Sequence, residues 1–168
     1  MTARVLVTSA GSAPSNNLMR SLRAGPEPVF IAGCHDDRFV LKNSAADKNY
    51  LTPPVNHPQW ARSLRHILEA EAVQVIIPTV DTDVTVLSRE REWLDRYLLL
   101  PSASVVETCQ DKYSLYTFLN NHGIAVAPTC EVEDLKSLPD IFRRLGDARP
   151  LWCRLRKGAG GQIGRAHV

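Results

Sequence analysis

Short apolar runs alternate along the chain with segments in which apolar residues recur every three or four positions. The runs predict strands and the amphipathic segments predict helices. In the first hundred residues, strands are predicted at 4–8, 28–33, 48–54, 73–78 and 97–101, and helices at 16–23, 59–70 and from 84 to 93. Pro14 and Ser15 suit the start of the first helix, because proline needs no N–H there and serine can cap.

This repeated order of strand and helix predicts an α/β fold with a parallel sheet and right-handed crossovers. The run 73–78 is apolar enough for a central strand covered by helices on both faces. Ligands of such sheets bind at the carboxyl ends of the strands. The loops expected there are 9–13, the acidic pair Asp36 and Asp37, and 79–83.

Two acidic residues in the loop 79–83 leave alternatives open. Asp81 and Asp83 can hold an amine, a metal or nothing, and Asp83 can equally cap the following helix while Asp81 is solvated. An acid after the second strand is where a dinucleotide-binding fold holds a ribose. The loop 9–13 lacks the full glycine fingerprint, so a dinucleotide-dependent oxidoreductase is the weakest function considered.

The second part of the chain predicts a helix opening at Asp111-Lys112, a strand at 125–131, a helix at 134–145 and a strand at 151–154. The helix after Asp111 should bury its aromatic and leucine side chains and end at Gly123. The helix 134–145 should face inward with its apolar residues, which are Leu135, Leu138, Ile141, Phe142 and Leu145.

A basic, glycine-rich turn follows the last of these strands. Glycine reaches positive φ freely, so successive N–H groups there can converge on one anion. The candidate residues of the turn are Arg154, Arg156, Lys157, Gly158, Ala159, Gly160 and Gly161. Their spacing differs from that of a P-loop, and a solvated hairpin turn beside a basic edge remains the alternative from these residues alone.

Three motifs in order resemble the ATP-grasp superfamily, specifically the carbamoyl-phosphate-synthase-like ligases. They are Asp111-Lys112 at a helix start, the segment 123–128 of the form Gly-x-x-x-x-Pro, and the strand from Pro150 into the glycine turn. Arg154 stands where many relatives have lysine, and Leu155 where proline is common. Arginine keeps the charge and can donate two hydrogen bonds to phosphate.

The resemblance implies a pre-ATP-grasp domain over 1–108 and the truncated first part of an ATP-grasp domain over 109–162. It also implies that Lys112, Arg154, Lys157 and the residues 158–161 bind nucleotide, although Lys112 is otherwise readable as an exposed surface lysine. A lysine in the first turn of a helix is unfavourable without an anion nearby. Pro78-Thr79-Val80-Asp81 matches the loop that faces the active site in the family, so Asp81, with Gly11, is a candidate for substrate binding.

The implied parent enzyme is an ATP-dependent ligase that joins a carboxylate to an amine through an acyl phosphate, or acts like carbamoyl phosphate synthase. Its partners would be ATP, Mg²⁺ and the two small substrates, with the magnesium ligands and most of the adenine pocket outside this chain. The 168 residues alone are expected to be inactive. A non-catalytic module that binds a nucleotide or metabolite is the alternative function.

The composition argues against several other classes of protein. A net charge of +2 gives no general electrostatic case for nucleic acid or an anionic membrane. The four cysteines and five histidines are scattered, which predicts no metal site and reduced, mostly buried thiols. The N-terminus shows no signal peptide and no apolar run approaches membrane-spanning length, so a cytoplasmic protein is expected. No oligomeric state can be predicted.

The final six residues, 163–168, match codon for codon a common sequencing adapter. We therefore expect them to be a non-native tail of a natural chain cut off after residue 162, and sequencing of the source locus tests this expectation.

Overall fold

The computed structural model describes residues 2–145, 151–158 and 163–166. The chain divides into two compact units, Met1–Ala103 and Ser104–Val168. The predicted domain boundaries stay predictions.

A four-stranded parallel sheet forms the centre of the first unit. Its strands are β1 (Ala3–Val7), β2 (Val29–His35), β3 (Lys48–Leu51) and β4 (Val75–Ile77), in the order β3-β2-β1-β4. In the register of β1, Val5 lies opposite Ile31 on one side and opposite Val75 on the other. The predicted parallel sheet is confirmed. The prediction that the run 73–78 forms a central strand is wrong, because β4 is the last of the four strands and has only the Ile76–Leu98 bridge on its other side.

Five helices cover this sheet: α1 (Ala13–Arg23), α2 (Arg38–Leu41), α3 (Trp60–Ala70), α4 (Asp81–Arg89) and α5 (Arg91–Leu94). Successive side chains of a strand point to opposite faces, so Leu6 joins one apolar cluster while Val5 and Val7 join another. The Leu6 cluster contains residues of α3, α4 and α5, and the second cluster contains residues of α1 and α2. The sheet therefore lies between two helical layers, as the continuous apolar strands predict.

Several element ends in this unit differ from the prediction. Ser12 caps α1 by accepting a hydrogen bond from the Ser15 N–H, so Ser15 does not cap. The predicted strand 97–101 is reduced to one parallel bridge between Ile76 and Leu98, because residues 95–97 form a 3₁₀ turn. The helix expected from 84 to 93 begins at Asp81 and is interrupted at Glu90.

The second unit contains α6 (Ala103–Gln110), α7 (Lys112–Asn121), α8 (Leu138–Leu145) and the strands β5 (Leu151–Arg154) and β6 (Ile163–Ala166). The two strands pair antiparallel, with Arg154 opposite Ile163. The helix at 112 and the strand at 151–154 are confirmed, and Gly123 follows α7 with a φ of +72°. The helix α6 was not predicted.

Other predictions for the second unit are wrong. Residues 125–131 form no strand, because no described strand pairs with them. The helix expected from 134 starts as a 3₁₀ turn at Leu135–Ser137, and Leu135 is 76% exposed instead of buried. Along α7 no apolar side chain is fully buried, and Phe118 is half exposed.

The cysteines also differ from the prediction. All four thiols are free, but only Cys34 is fully buried, and Cys109 and Cys153 are exposed. Burial raises the pKa of the Cys34 thiol to about 12. Cys34 therefore acts as a small apolar residue of the core. No helix in the described part of the chain is long and apolar enough to cross a membrane.

Candidate functional site

Asp111 fixes the start of α7. Its side chain accepts hydrogen bonds from the backbone N–H groups of Tyr113 and Ser114, each at 3.1 Å. These are two of the N–H groups that a helix start leaves without partners. The carboxylate is only 8% exposed. The Asp-Lys pair therefore opens the helix through its aspartate, which places Lys112 in the first turn.

Arg156 binds this carboxylate from the turn that follows β5. The Arg156 Nε lies 2.8 Å from both Oδ1 and Oδ2 of Asp111, and Arg156 Nη1 donates to Glu131 Oε1. The guanidinium also lies over the Tyr113 ring, with its Cζ 5.6 Å from the ring centroid. The Arg156 guanidinium, with the two helix N–H groups, lowers the pKa of Asp111 to about 2, and both carboxylates raise the pKa of Arg156.

Lys112 makes two hydrogen bonds to the same turn. Its backbone N–H donates to the carbonyl of Arg156 at 3.1 Å, and its Nζ donates to the carbonyl of Gly158 at 3.0 Å. Gly158 has a φ of +116°, a conformation that L-residues rarely adopt. A Cβ at this position would meet nothing within 4 Å. Glycine is therefore needed here for the backbone conformation and not for space.

The structure brings together some of the predicted nucleotide-binding residues. Lys157 Nζ lies 3.9 Å from Asp111 Oδ2, so Lys112, Lys157 and Gly158 all contact the group around Asp111. The Arg154 side chain is exposed at the end of β5 and makes no hydrogen bond or ion pair with the described part of the chain. Ala159, Gly160 and Gly161 lie outside the described residues.

Sequence reasoning missed the roles of Glu131 and Arg156. The turn was read as uniformly basic, but Arg156 has two carboxylate partners. Glu131 lies in the segment that was predicted to be a strand, 25 residues before Arg156. No local sequence signal marks this pair.

In the first unit, the loops after β1 and β4 meet at a buried carboxylate. Asp83 Oδ2 accepts hydrogen bonds from Thr8 Oγ1 at 2.6 Å and Ser9 Oγ at 2.7 Å. Asp83 is 6% exposed and lies inside α4, whose cap residue is Val80. The alternative in which Asp83 caps this helix is therefore wrong. Its carboxylate connects α4 to the loop after β1.

Asp81 and Gly11, the candidate substrate residues, lie near the same end of the sheet. Asp81 is the first residue of α4 and is half-buried. Gly11 has a φ of +93°, and a Cβ there would lie 2.0 Å from the carbonyl oxygen of Val40. Close packing against α2 thus explains this glycine without a ligand. A substrate role for either residue stays a prediction.

The acidic pair after β2 has structural partners. Asp37 Oδ1 accepts from the N–H groups of Phe39 at 2.7 Å and Val40 at 3.2 Å, so it caps α2, and these bonds lower the pKa of Asp37. Asp36 lies 2.9 Å from the ring Nδ1 of His35. This arrangement accounts for both carboxylates within the fold.

The described residues do not fit a magnesium site. Among residues 2–145, 151–158 and 163–166, no three His, Cys, Asp or Glu side chains are grouped so as to hold a metal ion. The carboxylates nearest the glycine turn, Asp111 and Glu131, both bind Arg156. Because Mg²⁺ needs free oxygen ligands, no step is assigned to a metal held by these side chains.

Comparison with solved structures identifies the class of protein that has this fold. N5-carboxyaminoimidazole synthetase from Staphylococcus aureus, complexed with ADP, matches with a TM-score of 0.73 and 13% identity over 99% of this chain and 42% of its own. L-amino acid ligase from Bacillus licheniformis matches with a TM-score of 0.67 and 12% identity over 99% of this chain and 39% of its own. The biotin carboxylase domain of the 2-oxoglutarate carboxylase from Hydrogenobacter thermophilus, in complex with MgADP, ADP and bicarbonate, matches with a TM-score of 0.64 and 17% identity, over 99% and 38%.

At these identities the likeness establishes the fold, which is that of the N-terminal part of ATP-grasp enzymes. Residues 5–97 match the family described as PylC-like, N-terminal domain, and the chain belongs to this family. The resemblance to the ATP-grasp superfamily is thereby confirmed. No curated protein matches the chain in sequence. The chain spans about two fifths of the length of the three solved structures named above.

Proposed function

We propose that this chain belongs to an ATP-dependent ligase of the ATP-grasp type, and that Lys112, Arg154, Lys157 and the glycine turn 158–161 bind the phosphates of ATP. The reaction we propose joins a carboxylate to an amine, or resembles that of carbamoyl phosphate synthase. ADP in the S. aureus synthetase and MgADP in the biotin carboxylase domain support a nucleotide ligand for this fold.

One observation carries the proposal: the Lys112 ammonium lies 3.0 Å from the Gly158 carbonyl. A cation in the first turn of a ten-residue helix faces the partly positive helix end. The N–H groups of Lys112, Tyr113 and Ser114 already have partners. An anion bound between the helix start and the glycine turn would therefore contact the Lys112 ammonium and N–H groups of the turn. Phosphate oxygens have the charge and the acceptor capacity for this position.

Lys112, Arg154 and Lys157 would serve to neutralise charge. A carboxylate must approach the terminal phosphate of a strongly anionic triphosphate, and cations on the phosphate oxygens lower that repulsion. Arg154 is suited to the task because its guanidinium is exposed and has no partner in the described part of the chain. Magnesium, when bound, would supply further positive charge to the phosphates, and we assign its ligands to residues outside this chain.

The proposed chemistry has two steps. A carboxylate oxygen of the substrate attacks the terminal phosphorus of ATP, the bond from that phosphorus to the bridging oxygen breaks, and ADP leaves. The amine then attacks the carbonyl carbon of the acyl phosphate, inorganic phosphate leaves, and the amine loses a proton. In this scheme Lys112 and the glycine turn hold the phosphates and exclude water.

Binding of ATP to the 168-residue chain tests the phosphate site. In ³¹P NMR titrations we expect weak binding by the wild-type chain and about tenfold weaker binding by Lys112→Ala, because a charge-assisted hydrogen bond to phosphate is lost. The matched control is Lys136→Ala, since the Lys136 side chain is exposed in the same unit and makes no hydrogen bond or ion pair within the described part of the chain. We expect no ATP hydrolysis by the wild-type chain.

The outcomes separate the candidate functions. Equal losses in Lys112→Ala and Lys136→Ala would show non-specific attraction and refute the phosphate site. Tight binding of a nucleotide or metabolite that Lys112→Ala leaves unchanged would support the alternative of a non-catalytic binding module. Turnover of ATP by the 168-residue chain would contradict the expectation that the chain alone is inactive.

A further inference from the structure

The three cations around the glycine turn have different surroundings. Arg154 has no partner in the described part of the chain, and Lys157 is 3.9 Å from its nearest carboxylate oxygen. Arg156 instead has its Nε 2.8 Å from both oxygens of Asp111 and its Nη1 bonded to Glu131. The two carboxylates offset the positive charge of this arginine, so it attracts a phosphate less than Arg154 or Lys157 does.

We infer that Arg156 is a positioning residue that holds residues 156–158 against the start of α7 and so fixes the distance from Lys112 to Gly158. Arg156 itself then contacts no phosphate. The consequence for nucleotide binding rests on the proposed function, whereas the structural part of the inference does not.

The contacts of residues 156–158 all reach the same two residues at the start of α7, Asp111 and Lys112. Its side chain binds Asp111, whose carboxylate caps α7, and its carbonyl accepts the N–H of Lys112 at 3.1 Å. Two residues further on, the Gly158 carbonyl accepts from Lys112 Nζ. Three interactions thus connect a turn of three residues to two consecutive residues of the helix start. Loss of the bond between Arg156 and Asp111 would allow residues 156–158 to move away from Lys112.

The exposed fractions of the two side chains indicate that Asp111 needs Arg156 more than Arg156 needs Asp111. The Asp111 carboxylate is 8% exposed and the Arg156 side chain 44%. Without the guanidinium, a shielded carboxylate would lose its main counter-charge, which is more costly than exposing an arginine already in contact with solvent. Asp111 would then relax toward water, and the hydrogen bonds that cap α7 would weaken.

Lysine should not replace Arg156. The contacts need two donors with a fixed separation, the Nε toward Asp111 and the Nη1 toward Glu131. A lysine ammonium is a single point charge on a flexible chain and cannot reproduce this fork. A site that required only positive charge would accept lysine, so Arg156→Lys separates geometry from charge.

The test combines amide hydrogen exchange with ATP binding in the 168-residue chain. In Arg156→Gln and Arg156→Lys we expect exchange of the Lys112, Tyr113 and Ser114 amides to rise about tenfold or more. The control is Arg143→Gln, because exposed Arg143 pairs only with Asp140 within the described part of the chain. Affinity for ATP, measured by ³¹P NMR where far-UV circular dichroism shows each variant folded, should fall several-fold in both Arg156 variants.

The results distinguish this inference from the proposed function. Faster exchange in the Arg156 variants supports the positioning role even when the wild-type chain binds no ATP, a result that counts against the proposed function alone. Unchanged exchange overturns the positioning role. Reduced ATP affinity with unchanged exchange also overturns it, since Arg156 would then contact phosphate directly. Should both Arg156 variants fail to fold, Glu131→Ala is decisive, because it removes one acceptor of Arg156 and must still raise exchange of the Lys112 amide.

Discussion

The buried carboxylate of Asp83 gives the sharpest prediction for the first unit. Its Oδ2 accepts hydrogen bonds from the hydroxyls of Thr8 and Ser9, and Asp83 is 6% and Thr8 5% exposed. Asp83→Ala removes the acceptor of both hydroxyls and leaves at least one of them without a partner inside the protein. We expect this substitution to destabilise the unit strongly.

The magnitude follows from the two bonds. A hydrogen bond to a charged group contributes about 1.5–3 kcal/mol. We take about 3 kcal/mol for the pair, the low end, because water can enter part of the space left by the carboxylate. For a domain of about 100 residues this lowers Tm by about 12–24 °C. Asp83→Asn keeps one oxygen acceptor without the charge, so it should cost about 1 kcal/mol.

Urea unfolding monitored by tryptophan fluorescence measures these changes. The exposed Trp152 of the second unit would contribute to the signal, so Trp152→Phe is the background, which leaves Trp60 and Trp93 as reporters. The matched control is Asp81→Ala, since Asp81 is in the same helix turn but its carboxylate accepts no hydroxyl within the described part of the chain. Only the helix dipole favours its charge, by about 0.5 kcal/mol. Equal destabilisation by the two alanine substitutions would refute the reasoning.

Two further predictions concern Gly11 and Asp111. Gly11→Ala should lower the free energy of unfolding in urea by about 2–5 kcal/mol, because its Cβ would lie 2.0 Å from the Val40 oxygen at a φ of +93°. Gly123→Ala is the control, since its φ is also positive but the space around it is open, and it should cost only about 1–2 kcal/mol. Similar costs would exclude the close contact as the cause. In the folded chain the pKa of Asp111 is lowered from 3.8 to about 2. The ionised carboxylate therefore stabilises the fold fully at a pH above the unfolded-state pKa, and this stabilisation is lost as the pH falls through the folded-state pKa. The difference in stability between wild type and Asp111→Asn should therefore narrow between about pH 4 and about pH 2, and a difference independent of pH would contradict the ionic role of Asp111.

The parallel sheet could be predicted because its strands are buried on both faces. The run Val75–Ile77 is apolar at every position, and Ile76 packs in one cluster while Val75 and Ile77 pack against the other. The segment 125–131 has similar apolar residues but no described strand beside it, and it forms no strand. Strand formation depends on a partner, which a local pattern does not reveal.

The roles of the aspartates could not be predicted for a related reason. Asp111 and Asp83 both lie near a helix start, and the sequence permits either to cap. Asp111 caps α7, whereas Asp83 is turned toward the loop after β1 because Thr8 and Ser9 offer two hydroxyls there. Those partners are about 75 residues away in sequence, and only the register of β1 against β4 brings them to the carboxylate.

Charge at the glycine turn depends on the same kind of distant contact. The sequence shows four cations near the turn, which are Lys112, Arg154, Arg156 and Lys157. The structure adds the two carboxylates of Asp111 and Glu131, which bind Arg156, so the net excess is two positive charges. Free ATP carries about four negative charges, so this excess neutralises about half of them. On the proposed function, the remaining charge matches one divalent cation. Among the described residues no three His, Cys, Asp or Glu side chains are grouped to hold such an ion, so ATP affinity of this chain alone should be weak and should fall with rising salt.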